Sequence, residues 1–330
     1  MRICGLFLAF TLLLLHAQPP AAQLDAALIR TTVNSLAAVV HREYVDPEIA
    51  ARVDGSLRQA LAEGKYADLH SAEALAAALT ADLFTLTRDK HLAVDLKIAD
   101  KPREIRAIQS NFGIQRVEIL PGNVGYLNIT EFDAPDQARD GIAAAMLILR
   151  HADALIVDLR SNVGGSPNTV ALFISYFFDE TDLTLFQIVP KSGKGVLSYR
   201  TETAPLPGRN GRRPVCTLTS ARTFSGGEGV AFLLQEMHRA EVIGETTAGA
   251  ANPGRPYPLN ALFNVTVPNG RLRTAVSGVN WEGTGVTPTV NTTEAQALPV
   301  AHTRLLRKLI EQAPQGPHRT ALEHELAASR

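Results

Sequence analysis

The stretch "PVCTLTSARTFSGGEGVAFLLQEM" (214–237) passes from a β-rich run ending in Ser220 to a helical pattern, with a serine and two glycines at the junction. Val230, Leu233, Leu234 and Met237 fall at i, i+3, i+4 and i+7, one apolar stripe of an α-helix. Ser225 therefore stands where a strand hands over to a helix. Two readings of it are open. It is a helix N-cap, for which serine is favoured. Or it is a nucleophile at a helix N-terminus, where free N–H groups can hold an oxyanion.

Working outward, strands and helices alternate. "FGIQRVEIL", "PGN" and "VGYLNI" (112–129) read as a hairpin. "APDQARDGIAAAMLILRH" reads as helix, "DALIVDLR" as strand and "SPNTVALFISYFF" as helix. "LTLFQIV" and "GVLSYRT" pair as a hairpin, "AEVIGE" follows the Ser225 helix as a strand, and extended segments run to about 290 before a helix over 293–313. This alternation argues an α/β domain. Upstream, residues 24–87 read as a helical bundle: "LDAALIRTTVNSLAAVVHREYV" stops at Asp46-Pro47, and Ser71 is placed to cap the third helix. No internal repeat is visible. The tail after 313 is polar.

The chain has 330 residues with a net charge of -1, which points neither to nucleic acid nor to an anionic membrane surface. The longest basic cluster, "GRNGRRP" (208–214), reads as a loop. The start, "MRICGLFLAFTLLLLHAQPPAAQ", has Arg2, an apolar run from Leu6 to Leu15, and small residues at Ala17, Ala21 and Ala22. It reads as a secretory signal peptide, and no later stretch is apolar enough to span a bilayer. Cys4 leaves with that signal, so Cys216 has no partner for a disulfide. The expected layout is a signal at 1–22, a helical bundle at 23–90, an α/β core at 91–313 and a polar tail at 314–330.

Three further stretches carry chemistry. "DLRSNVGG" (158–165) closes a strand with two glycines, which let backbone N–H groups approach a ligand; a tight turn is the plainer reading. "TRDKHLAVDL" (87–96) sets His91 before an alternating strand, and "NWEGTGVTP" (280–288) sets Glu282 in a turn. Either could be merely structural. No metal-binding motif is present. The nucleophile elbow of α/β-hydrolases is excluded because Thr223 stands where it needs glycine, and no aspartate follows Ser225.

Taken in order, "DKHL", "GNVGYLNI" with "EF", "ALIVDLRSNVGGSP", "LTSARTFSGGEGVAFLLQ", "RAEVIGETTAGAANPG" and "NWEGTGVTP" resemble the tail-specific (carboxyl-terminal processing) protease family. The likeness is to its branch similar to interphotoreceptor retinoid-binding protein and the catalytic core of tricorn protease, and it covers residues 24–310. The resemblance implies an α/β fold: a crotonase-like (ClpP/crotonase) spiral of ββα units preceded by the small helical bundle. It implies Ser225 as nucleophile, His91 as general base and Glu282 as the acid that orients it. It also implies an oxyanion hole from the N–H of Gly226 and that of Gly164 or Gly165. Family members with a Ser-Lys dyad carry lysine after the turn that is "GETTAGAA" here, and Ala250 occupies the matching place. A substrate-gating PDZ domain has no room between His91 and the hairpin.

The expected protein is thus a secreted or periplasmic serine peptidase acting on a peptide or protein substrate, without metal or organic cofactor, its oligomeric state left open. The reading from a different class is a non-catalytic binding protein for an apolar, retinoid-like ligand on the same scaffold. Between Ser225 and Glu282 lie rival acids. Glu228 is read as facing the helix N-terminus, Glu236 and Glu241 as surface, and Glu245 as a brace for the loop that holds Ala250.

Overall fold

The computed structural model describes residues 24–97 and 108–328; the expected signal at 1–22, Cys4 included, lies outside them. Three helices come first: α1 (Ala26–Glu43), α2 (Pro47–Ala62) and α3 (Ala72–Thr87). Each begins on a side-chain cap. Asp25 accepts the N–H of Leu28, Asp46 those of Glu48 and Ile49, and Ser71 that of Ala74. α1 stops at Tyr44, just ahead of Asp46-Pro47, where proline biases the preceding residue away from helix. Val33, Leu36, Leu79 and Leu83 of these helices share one core with Phe263, Val265 and Val267.

Those last residues belong to a small antiparallel sheet in the order β1 (Ala93–Leu96), β10 (Phe263–Pro268), β9 (Gly254–Pro258). A second antiparallel sheet sets β5 (Thr184–Pro190) between β11 (Gly270–Thr274) and β6 (Leu197–Arg200). The main sheet runs β12 (Val290–Asn291), β8 (Glu241–Gly244), β7 (Val215–Thr219), β4 (Ala154–Asp158), β3 (Val124–Ile129), β2 (Ile114–Leu120). Only β2 is antiparallel to its neighbour.

β4 and β7 are buried at every position, as expected for parallel strands covered on both faces. On one face, Leu155 and Val157 pack with α4 (Pro135–Ile148), α5 (Pro167–Ser175) and α6 (Gly226–Glu236) through Met146, Phe173 and Leu234. On the other, Ile156, Cys216 and Leu218 pack with Ala301, Leu305 and Leu306 of α7 (Glu294–Gln312). Helix α8 (Pro317–Ala328) lies within the polar tail and buries Leu322 in this second core. Cys216 is buried and reduced.

The fold corrects the expected crotonase-like spiral. Among the described residues, a paired ββ hairpin followed by a helix occurs once, as β2–β3–α4; after it come single βα steps, β4–α5 and β7–α6, that add strands to one open sheet. The hairpin β5–β6 leaves that sheet to pair with β11 instead of starting another ββα turn. The strands thereby divide among three separate sheets rather than stacking as repeats.

Candidate active site

The site gathers at the C-terminal ends of β4 and β7. Ser225 heads α6 with φ 50 and ψ -117, a left-handed conformation that costs a non-glycine residue of order 1–3 kcal/mol. Surrounding bonds hold it there. The Phe224 N–H donates to the Asn162 carbonyl at 2.9 Å, Thr223 Oγ1 to the Leu159 carbonyl at 2.8 Å, and the Ser225 N–H to Glu228 Oε2 at 2.8 Å. Ser225 Oγ lies 3.0 Å from His91 Nε2, from a residue 134 positions earlier.

His91 arrives on the short link between α3 and β1. Its ring lies against Phe224, centroids 4.8 Å apart. Burial pushes the imidazole down to about 4, so it is neutral at neutral pH. Its Nδ1 is buried without a hydrogen-bond partner.

Glu282 sits in the turn after Trp281. Its Oε2 accepts the N–H groups of Ala251 and Asn252, both at 2.8 Å, while Oε1 is buried and unpartnered. Burial first, then the charge of Asp89, pushes this carboxyl up to about 7. One donor atom each from Asp89, His91 and Glu282 lies within 4.8 Å of the other two, a spacing also compact enough to hold a cation. Asp89, His91 and Glu282 thus form one cluster, in which His91 Nδ1 and Glu282 Oε1 are each without a hydrogen-bond partner.

The backbone N–H groups of the three glycines beside Ser225 differ in their hydrogen bonding. The Gly164 N–H donates to Asn162 Oδ1 at 2.8 Å and is occupied. Those of Gly165 and Gly226 have no acceptor among the described residues. A Cβ on Gly226 would come within 3.2 Å of the Gly165 nitrogen, so the two groups are neighbours. Both glycines of "NVGG" are required. A Cβ on Gly164 would meet the Gly226 nitrogen at 2.7 Å, and one on Gly165, at φ +138, the Phe132 carbonyl oxygen at 2.0 Å.

Beside Ser225 opens a cavity of about 350 Å³ whose apolar wall includes Val170, Phe186, Ile188, Leu233, Leu272 and Trp281.

The rival acids separate cleanly. Glu228 is fully buried and accepts four donors: the N–H groups of Ser225, Gly249 and Ala250 and the Thr247 hydroxyl. It, and not Glu245, braces the loop that holds Ala250. Glu245 accepts the N–H of Glu294 at the start of α7 and that of Ala221. The signal for Glu228 was local: Ser225 and Glu228 have capping-box spacing, with the glutamate reaching back to the Ser225 N–H. Asp89 and Asn162, which orient His91 and Gly164, are the other residues that the motif reading passed over.

The chain belongs to peptidase family S41: that family's model matches residues 123–292, just over half of the sequence. A second model, the N-terminal domain of Peptidase_S41 in eukaryotic IRBP, matches residues 23–115. Among characterised relatives, the chain is 28% identical over 182 residues to the chloroplastic carboxyl-terminal-processing peptidase 1 of Arabidopsis thaliana, covering 54% of this chain and 35% of that one. It is 26% identical over 204 residues to a carboxy-terminal-processing protease of Bartonella bacilliformis, covering 58% and 44%. The chain thus spans less than half the length of these relatives.

In three dimensions it is similar to a lipoprotein from Streptococcus agalactiae, with TM-score 0.59, 16% identity, and coverage of 90% of this chain and 100% of that one. It is also similar to the tricorn protease, with TM-score 0.57, 12% identity, and coverage of 86% and 37%. The fold is therefore that of S41 peptidases and the tricorn-like catalytic domain, which replaces the ClpP/crotonase spiral.

Proposed function

We propose that the chain is a serine peptidase working outside the cytoplasm, which cleaves peptide bonds by acyl transfer through Ser225. The observation that carries this reading is the 3.0 Å approach of His91 Nε2 to Ser225 Oγ beside two free backbone N–H groups. A serine hydroxyl is a weak nucleophile without an adjacent base, and a neutral imidazole is the base it needs. His91 takes the Oγ proton as the oxygen attacks the substrate carbonyl. Gly165 and Gly226 hold the resulting oxyanion. The imidazolium then protonates the departing amine, and water, activated by the same ring, releases the acyl group. Glu282, in the cluster with His91, stabilises the imidazolium in its ionised form.

The apolar cavity supports a substrate with an apolar side chain next to the scissile bond. The signal-like start of the sequence supports a periplasmic or secreted location.

Peptide-library cleavage by the purified protein, with Ser225→Ala alongside, tests the reading. Expected is cleavage that disappears in the variant; undiminished hydrolysis by Ser225→Ala would refute it. The same cavity favours one other function, binding of an apolar ligand without chemistry. Ligand binding by a protein that no serine-reactive phosphonate labels would mark that outcome.

A further inference from the structure

The His91 ring has no hydrogen bond at Nδ1, so apart from its packing on Phe224 its position against Ser225 depends on where its backbone is held. That backbone is tied with unusual care. Asp89 Oδ1 accepts the His91 N–H at 2.9 Å, and Asp89 Oδ2 accepts the Tyr44 hydroxyl at 3.0 Å. Between them, Lys90 Nζ donates to the Ala248 carbonyl at 2.7 Å. Three consecutive residues thus reach three different elements: the end of α1, the loop after β8, and the head of α6.

Asp89 is 2% exposed and Tyr44 4%. A turn that only needed to bend could use an exposed asparagine or serine. Burying a carboxylate costs several kcal/mol unless its oxygens are hydrogen-bonded. Here both are, and the second bond comes from a residue 45 positions away. Tyr44 is itself fixed: its N–H closes α1 on the Val40 carbonyl, and the N–H of Val45 donates to Pro268 of β10 at 2.9 Å. The arrangement is a rigid strut from the first helix to the imidazole.

We propose that Asp89 and Tyr44 are positioning residues of the reaction, holding the His91 backbone so that Nε2 meets Ser225 Oγ. The inference rests on the peptidase reading above. It makes α1 part of the active-site frame: the general base is placed from the N-terminal helices and the nucleophile from the main sheet, and the Tyr44–Asp89 bond sets their separation. Displacing a reacting group by about 1 Å costs on the order of a hundredfold in rate.

The test compares Tyr44→Phe, Asp89→Ala and Asp89→Asn in the full chain, with thermal unfolding as the folding control. Tyr44→Phe and Asp89→Ala should lower both kcat and the rate of Ser225 labelling by a fluorophosphonate by about ten- to a hundredfold, with KM within about twofold. Asp89→Asn keeps an acceptor for the His91 N–H and should recover most of the loss. The ¹⁵N signals of the His91 ring should move in the two damaging variants and return toward wild type in Asp89→Asn. Because that readout needs no turnover, a wild type that neither cleaves nor labels refutes the peptidase reading separately. If Asp89→Ala does not fold, Tyr44→Phe decides. A folded Tyr44→Phe with wild-type kcat, labelling rate and ring signals overturns the proposal.

Discussion

Glu228 and Ser225 are joined backward across one helical turn: Glu228 Oε2 accepts the Ser225 N–H at 2.8 Å, while Oε1 accepts the Gly249 N–H at 2.6 Å and the Thr247 hydroxyl at 2.5 Å. One buried carboxylate therefore fixes both the strained serine and the loop facing it. Burial pushes its pKa up and the surrounding donors pull it back. Glu228→Gln turns one acceptor into a donor facing N–H groups. The expected result is a loss of about 1–3 kcal/mol in thermal unfolding, with a fall in kcat. A variant with unchanged stability would mean the loop is held by other contacts.

Gly165→Ala places a Cβ against the Phe132 carbonyl oxygen and forces alanine into the left-handed region. The "NVGG" loop must move, carrying the Gly165 N–H away from that of Gly226. We expect kcat to fall by about 10²–10³, the usual effect of losing one oxyanion donor, with smaller change in KM. Steady-state kinetics on the folded variant checks this.

The pH profile should have its acid limb set by Glu282 rather than by the imidazole. Glu282 is held up to about 7 and His91 down to about 4, so the competent pair, neutral imidazole and ionised carboxylate, forms as pH rises through 7. Glu282→Gln should remove that limb and cost roughly 10²–10⁴ in kcat. A wild-type limb near 6.5 that survives in Glu282→Gln would contradict this.

Stability should respond to pH with opposite signs from these two groups. Glu282, raised in the folded state, contributes stability below its unfolded value of 4.5 and loses it as pH rises through 7. His91, depressed when folded, contributes above 6.5 and loses it as pH falls toward 4. They offset in the wild type. In Glu282→Gln the histidine acts alone, so stability should rise with pH between 4 and 6.5 more steeply than in the wild type, as read from denaturant midpoints.

Filling the cavity should change which peptides are cut. Val170 lines it near Ser225 and packs against Gly226. Val170→Phe should shift cleavage toward substrates with small side chains while leaving fluorophosphonate labelling of Ser225 in place. An unchanged library profile would move the specificity pocket elsewhere.

The local sequence was enough for most of the elements, though not for helix α8 in the polar tail. Asp46-Pro47 and Ser71 bound the first helices because caps and proline act within a few residues. The apolar runs at 154–157 and 215–219 read as strands because parallel strands covered on both faces lack polar positions. Ser225, His91 and Glu282 could be named because each lies in a short motif resembling those of a known family.

Only the tertiary structure decided how the strands divide among three sheets, since pairing partners such as β5 and β11 are far apart in sequence and carry no local signal. Only it separated Gly165 from Gly164, because which N–H is free depends on where the Asn162 side chain points. It gave the bracing of the Ala250 loop to Glu228 and not Glu245, since four donors from distant residues converge on one buried carboxylate. And it brought Tyr44 to Asp89, a contact made by packing a helix against a loop, which spacing along the chain does not encode.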